Sequence, residues 1–200
     1  MENVQLGNTD LQIAPIIFGG NVFGWTLNEE ESFRILDIFI DRGFNTIDTS
    51  NNYSHWVSGN VGTESEKIIG KWLKERNLRD KIVLATKVGE YNLYDRQHFE
   101  EFLRPVAEKY NLAVIPYYSL ASGFLSGKYK SEEDLENSAR KDKYNVSYSA
   151  ISLAWLLKQQ TVVAPIASAT KENHIDSFID AVQLNLSEED LAILNEASTY

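Results

Sequence analysis

Cysteine is absent from the 200-residue sequence, and histidine occurs only at positions 55, 98 and 174. Without cysteine there is no disulfide framework, no thiolate metal site and no thiol nucleophile. The three histidines lie too far apart to show the spacing of metal ligands. The sequence therefore gives no support to a protein-built metal site.

Basic residues are also few, since 19 Lys and Arg stand against 29 Asp and Glu, for a net charge of -10. This balance argues against nucleic acid as the main partner, because phosphate binding needs a surplus of basic residues on one face. The first residues, MENVQLGNTD, lack a basic region followed by an apolar core, and no uncharged apolar run reaches about 18 residues. We expect a cytoplasmic protein without a membrane partner.

What is present is an alternation of short apolar runs and longer amphipathic segments. The runs are apolar at successive positions, as in strands covered on both faces of a parallel sheet, and they predict strands over 13–20, 44–50, 81–88, 112–120 and 161–168. The amphipathic segments predict helices over 29–43, 63–77, 96–111, 147–160 and 171–183. The order predicts an α/β fold with parallel strands.

Polar residues stand where two of these strands end. Asp48 closes one apolar run, Lys87 closes the next, and Tyr53 follows Asp48 in the loop. Functional groups of parallel α/β folds gather at the carboxyl ends of the strands, so the three side chains are predicted to converge. A nearby ammonium would lower the pKa of the phenol, and Asp48 would hold the lysine, which would let Tyr53 act as a general acid or base.

The same residues also have ordinary structural interpretations. Asp48 can cap the next turn, Tyr53 can be a loop aromatic, and Lys87 can be a solvated strand end. Residue types and spacing alone do not decide between these interpretations and a catalytic cluster, because such residues are common and perturbed acids are few.

Five stretches carry a family resemblance: LGNTDLQIAPIIFGGNVFGW, NTIDTSNNYSHWVSGNVGTESEKIIGKWL, LATKVG, IPYYSLASGFLSGKY and APIASATKENHI. In them the chain resembles the aldo-keto reductases, eight-stranded (βα) barrels that use NADPH to reduce carbonyls. The resemblance implies that Asp48, Tyr53 and Lys87 fall on the catalytic positions. Tyr53 would donate the proton to the carbonyl oxygen of a small-molecule substrate while the nicotinamide delivers hydride to its carbon. Trp25 is a candidate wall of the substrate pocket, or else a packed loop tryptophan.

No GxGxxG motif follows a strand, so a Rossmann mode of cofactor binding has little support. Two other stretches are candidates for holding NADPH or NADP⁺. The loop at 119–129 could bring backbone amides to a pyrophosphate, unless it is an ordinary flexible loop. The helix start at 168–175 could hold the 2′-phosphate, with Thr170 alternatively an N-cap. The cofactor residues implied by the resemblance are Gly20, Asn21, Tyr117, Ser119, Leu120, Gly123, Leu125, Gly127, Lys128, Ser168, Thr170, Lys171 and His174, with the Tyr117 ring stacked on the nicotinamide.

The chain departs from the family in two places. A long middle section with three barrel strands is absent between KVGE and YNLYDR, and the helix that should follow the glycine-rich loop is largely absent, so excisions are expected near 89–91 and 141–144. That section carries the family's catalytic histidine and an Asn/Gln pair for the nicotinamide carboxamide, so no histidine role is transferred. About five of eight strands remain, in one domain over 1–200. Three origins are open: ordered parts of a longer protein joined end to end, a deletion product and an engineered minimal chain. We favour the first.

From the sequence we expect an α/β chain of the TIM-barrel type that acts as an NADPH-dependent carbonyl reductase. Two alternatives remain, a non-catalytic subunit that binds the cofactor or regulates a partner, and a truncated fragment that no longer turns over. The sequence identifies neither the substrate nor the oligomeric state.

Overall fold

The computed structural model describes residues 1–87, 101, 104–110, 113–117, 119–120 and 144–197. The strands within these ranges are β1 (Val4–Gln5), β2 (Gln12–Ile13), β3 (Ile17–Gly19), β4 (Thr46–Ser50), β5 (Val83–Lys87) and β6 (Ile166–Ala167). The helices are α1 (Glu29–Asp41), α2 (Glu64–Arg76), α3 (Arg104–Tyr110), α4 (Tyr148–Leu157), α5 (Glu172–Gln183) and α6 (Glu188–Ala197). Short 3₁₀ turns lie at Gly20–Val22 and Arg79–Lys81.

Four strands form one parallel sheet in the order β5-β4-β3-β6. Phe18 of β3 is paired with Ile47 of β4 on one side and with Ala167 of β6 on the other. Beyond β6, Val114 is bridged in parallel to Val162, which continues the same layer. β1 and β2 form a separate antiparallel hairpin. Within the described residues the sheet does not close on itself.

Helices cover one face of this sheet and bury its apolar side chains. α1 begins at a capping box in which Asn28 and Glu31 exchange side-chain and backbone hydrogen bonds, an arrangement that satisfies two free N–H groups. Its Phe39 ring stacks on Phe44 at 4.7 Å and meets Phe18 edge-on at 5.2 Å. Such packing fixes the helix layer against β3 and β4, and hence the position of the strand ends.

The parallel sheet and the β-α alternation that the sequence predicts are confirmed. All five segments predicted as helices contain helix in their described parts. A strand was also predicted over 112–120. Among the described residues of that segment, Val114 forms a parallel β-bridge with Val162. The hairpin of β1 and β2 and the last helix, α6, are additions that the pattern did not predict. No helix in the described ranges is both long and apolar enough to cross a membrane.

Candidate functional site

Strand pleating places Asp48 and Lys87 on the same face of the sheet. Side chains alternate along β4, and Thr49 points to the helices, where its Oγ1 lies 2.8 Å from Ser65 Oγ of α2. Asp48, one residue earlier, therefore faces the opposite side. In the register between the strands Asp48 pairs with Ala85, so Lys87, two residues further along β5, shares its face.

The structure brings the three predicted residues into direct contact. Lys87 Nζ donates to both Asp48 oxygens, at 2.7 Å and 2.5 Å, and to the Thr49 carbonyl at 3.1 Å. Tyr53 Oη donates to Asp48 Oδ2 at 3.1 Å, and the Lys87 ammonium lies 4.8 Å from the centroid of the Tyr53 ring. Asp48 is buried, whereas the Lys87 side chain is 43% exposed. The cluster thus combines a buried carboxylate with a partly buried phenol and an ammonium that is accessible to solvent.

Burial dominates the protonation equilibria of this cluster. Desolvation raises the pKa of Asp48, and the hydrogen bonds and charge of Lys87 oppose that rise. Desolvation also raises the pKa of Tyr53, and the charge of Asp48 and the hydrogen bond to it raise it further. The expectation that Lys87 lowers the pKa of Tyr53 is therefore wrong for this arrangement. The ammonium lies over the ring, while the phenol oxygen faces a carboxylate that disfavours phenolate.

The loop that follows β3 meets the loop that follows β6 beside this cluster. Ser168 Oγ donates to the Gly19 carbonyl at 2.7 Å and to Asn21 Oδ1 at 2.5 Å. A Cβ at Gly19 would stand 2.6 Å from Ser168 Oγ, and one at Gly20 would stand 3.0 Å from the Asp48 carbonyl. The absence of a Cβ at both glycines therefore allows this close approach without displacing the neighbouring atoms. Three of the predicted cofactor residues, Gly20, Asn21 and Ser168, thus lie together.

The start of α5 carries three further predicted residues. Lys171, not Thr170, holds the N-cap position, with extended backbone and no side-chain cap, so the alternative role of Thr170 as an N-cap is wrong. The Thr170 N–H donates to His174 Nδ1 at 3.2 Å, which requires a neutral imidazole. Burial lowers the pKa of His174, and the charge of Lys171 lowers it further. Lys171 itself is exposed.

The remaining cofactor candidates lie around the segment after Val114. The Tyr117 ring is 39% exposed, and Tyr117 lies near enough to Tyr53 to contribute to the rise of its pKa. Ser119 is buried and donates to the Pro116 carbonyl at 2.8 Å, while Leu120 packs against the main core. Gly123, Leu125, Gly127 and Lys128 lie outside the described residues.

Trp25 lies in the loop after β3, as predicted, and meets a second tryptophan that the sequence did not single out. The Trp25 and Trp56 rings stand edge to face with centroids 5.4 Å apart. Ser54 Oγ donates to the Phe23 carbonyl, and Asn60 Nδ2 donates to the Gly24 carbonyl, so side chains of the 51–63 loop hold the Trp25 loop. The sequence feature that could have drawn attention to Trp56 is its position three residues after Tyr53, in the same loop.

A family model described as the aldo/keto reductase family matches residues 15–90 and 88–199. The chain belongs to this family. The match falls in two pieces that meet at residues 88–90. The interruption expected near 89–91 stays a prediction, as does the one near 141–144.

Curated relatives match shorter segments of the chain. The protein named "Uncharacterized 11.2 kDa protein in crtE 3'region" of Pseudescherichia vulneris is 55% identical over 85 residues, which are 42% of this chain and 82% of that protein. The putative aryl-alcohol dehydrogenase AAD14 of Saccharomyces cerevisiae is 40% identical over 42% of this chain, and the versiconal hemiacetal acetate reductase of Aspergillus parasiticus is 36% identical over 44%. The matches span only 23% and 25% of these two relatives.

Proposed function

We propose that this aldo/keto reductase reduces an aldehyde or ketone to an alcohol with NAD(P)H, on a frame of the (βα)8 type. The observation that carries the proposal is the Tyr53 phenol held at 3.1 Å from the buried Asp48 carboxylate, with Lys87 bonded to both carboxylate oxygens. The names of two relatives, a putative aryl-alcohol dehydrogenase and a versiconal hemiacetal acetate reductase, support a chemistry of alcohols and carbonyls.

The Tyr53 phenol carries its proton throughout the neutral range, as a proton donor must, but its raised pKa makes it a weak acid, so the transfer depends on the negative charge that develops on the carbonyl oxygen. When the carbonyl oxygen gains negative charge, the O–H bond of Tyr53 breaks and the new alcohol O–H forms. The Lys87 ammonium, 4.8 Å from the ring centroid, attracts the resulting phenolate. Asp48 accepts hydrogen bonds from both Lys87 and Tyr53, so the role of Asp48 is to hold the ammonium and the phenol in this arrangement.

A nicotinamide cofactor, when bound, supplies the hydride that goes to the carbonyl carbon. The residues present fit such a group. The meeting of Gly19 and Gly20 with Ser168 leaves backbone without side chains beside Asp48, and the uncapped start of α5 with exposed Lys171 suits an anion. We propose NADPH over NADH, with Lys171 near the 2′-phosphate and the exposed Tyr117 ring near the nicotinamide.

The test is Tyr53→Phe, which removes one hydroxyl and keeps the ring. Reduction of a model aldehyde should fall by about 10²-fold or more, while cofactor affinity, measured by fluorescence quenching, should barely change. The wild-type chain is the reference in both assays. Full turnover in the Phe variant would assign the proton to another group. Cofactor binding without turnover in the wild type would instead favour a non-catalytic subunit.

A further inference from the structure

A buried pair of hydroxyl groups joins three elements behind the candidate site. Thr49 of β4 and Ser65 of α2 are both buried, and their hydroxyl oxygens lie 2.8 Å apart. Ser65 Oγ also lies 2.8 Å from the carbonyl oxygen of Gly20, where the 3₁₀ turn after β3 begins. Ser65 therefore contacts both the strand that carries Asp48 and the glycine that lies beside Asp48.

The hydrogen bonds of this hydroxyl pair can run in only one direction. A carbonyl oxygen only accepts, so Ser65 must donate its single hydroxyl proton to Gly20. Toward Thr49 the Ser65 oxygen can then act only as an acceptor, and Thr49 must donate to it. Replacing Ser65 with alanine would therefore remove both hydrogen bonds at once.

The Gly20 carbonyl is held on the helix side of the sheet. It accepts from Ser65 of α2 and, at 3.1 Å, from the Phe23 N–H. The described residues contain no cis peptide bond, and in a trans peptide the N–H points away from the C=O. The Asn21 N–H belongs to the same peptide unit as the Gly20 carbonyl. It is therefore directed away from α2, toward the side of the sheet that Asp48 faces.

Thr49 connects this peptide to the cluster of Asp48, Tyr53 and Lys87. Its backbone carbonyl accepts from Lys87 Nζ at 3.1 Å, while its side chain donates to Ser65. A continuous path of contacts thus runs from Lys87 through Thr49 and Ser65 to Gly20. This path sets the position of the Gly20–Asn21 peptide relative to the ammonium.

We propose that Ser65 is a positioning residue that holds the Gly20–Asn21 peptide so that the Asn21 N–H donates to a bound nicotinamide dinucleotide. The inference rests on the proposed function for the presence of that cofactor. Ser65 is fully buried, so it acts on the cofactor only through Gly20. The Asn21 N–H lies beside β4 and not at the start of α5, where the 2′-phosphate is proposed. Its effect should therefore be the same for NADPH and NADH.

Ser65→Ala tests this role, because it removes the hydroxyl that holds Gly20. Fluorescence titration should give Kd values for NADPH and NADH that are each raised about two- to tenfold, the range of one hydrogen bond. Lys171→Ala, in contrast, is expected to weaken NADPH alone. Wild-type affinity for both cofactors in folded Ser65→Ala would overturn the proposal.

Ser32→Ala is the matched control for the loss of a buried serine hydroxyl. Ser32 is also fully buried, and its Oγ donates to the Asn28 carbonyl at 2.6 Å near the start of α1. Both variants should unfold at lower urea concentrations than the wild type, but Ser32→Ala should bind both cofactors with wild-type affinity. Equal losses of cofactor affinity in the two variants would reduce the effect of Ser65→Ala to general destabilisation and reject the positioning role.

A measurement on the wild-type chain keeps the proposal testable if Ser65→Ala does not fold. In ¹⁵N-labelled protein the Asn21 amide signal should shift saturably as NADP⁺ is added. Saturable binding of NADP⁺ with the Asn21 signal unmoved would overturn this inference and leave the proposed function standing. Failure of the wild type to bind either NADP⁺ or NADPH would reject the cofactor of the proposed function, and this inference with it.

Discussion

Replacing Asp48 with Asn should separate activity from stability in this protein. The substitution keeps the shape of the side chain and removes its charge. Asp48 is buried, accepts two hydrogen bonds from Lys87 and one from Tyr53, and is the group through which these two residues meet. We expect carbonyl reduction to fall by about 10²-fold, because loss of position of about 1 Å at the donor costs that much.

The stability change should be small despite these contacts. Hydrogen bonds to a charged group contribute about 1.5–3 kcal/mol each, but bringing a carboxylate out of water costs several kcal/mol. The raised pKa of Asp48 indicates that burial outweighs its partners. Lys87 loses its partner in the variant, yet its side chain is 43% exposed and can be hydrated. At pH 7 the free energy of unfolding should therefore change by no more than about 1 kcal/mol.

The stability difference between the wild type and Asp48→Asn should depend on pH with a definite sign. Because the pKa of Asp48 is raised on folding, the folded state binds its proton more tightly than the unfolded state does. The cost of the buried charge is fully present above the folded pKa, and it is lost as the pH falls through that value toward the unfolded value near 3.9. The wild type should thus gain stability relative to Asp48→Asn as the pH falls from neutral, by about 1.4 kcal/mol for each pKa unit.

Urea unfolding of both proteins between pH 4 and pH 8 measures this difference, and the other carboxylates cancel in the comparison. Asp37→Asn is the contrasting control. Burial acts to raise the pKa of Asp37, but hydrogen bonds from Arg76 and Trp72 outweigh it and the pKa is lowered. That variant should be less stable than the wild type at neutral pH, and the gap should stay constant down to about pH 4, because a lowered pKa costs stability only below the unfolded value near 3.9. A loss of about 3 kcal/mol or more for Asp48→Asn at pH 7 would refute the reasoning, since the pair with Lys87 would then dominate.

Two further predictions concern the loop after β4 and the start of α5. Gly59 and Gly62 both have φ near 90°, but a Cβ would meet open space at Gly59 and the Asn51 carbonyl oxygen at 2.7 Å at Gly62. In urea unfolding, Gly62→Ala should therefore lose at least about 1 kcal/mol more than Gly59→Ala, and equal losses would contradict the clash. Lys171→Ala should weaken NADPH by about fivefold in a fluorescence titration, as expected for an exposed ion pair. The affinity for NADH should not change. The control is Lys81→Ala, at an exposed lysine just before the start of β5, which is the end of that strand away from Lys87 and the candidate site.

The sequence predicted the parts of the fold that depend on repeating patterns. Buried parallel strands and amphipathic helices have periods that can be read from the residues, and the polar ends of two strands marked Asp48 and Lys87. The protonation of the cluster could not be read in this way. It depends on which atom of Tyr53 the ammonium reaches, and the loop geometry places Lys87 over the ring while Asp48 takes the hydroxyl.

Two elements were missed for different physical reasons. The strands of the β1–β2 hairpin have two residues each, too few for a recognisable alternation. The helix α6 did have a signal, because Ser187 stands three residues before Asp190: the Asp190 N–H donates to Ser187 Oγ, which donates in turn to Asp190 Oδ2. The loop that carries Trp56 includes Ser54 at positive φ, a conformation that no sequence pattern indicates here.

The pairing of β3 with β6 has a consequence for synthesis of the chain. The Gly19 carbonyl accepts from Ser168, 149 positions later, and Ile17 pairs with Ile166. On a ribosome that adds about 5–20 residues per second, β3 would wait roughly 7–30 s before β6 emerged to cover its free side. During that interval its main-chain groups on that side could pair only with water or with a foreign strand. A chaperone that shields nascent strands should therefore raise the yield of folded protein more than one that acts after release.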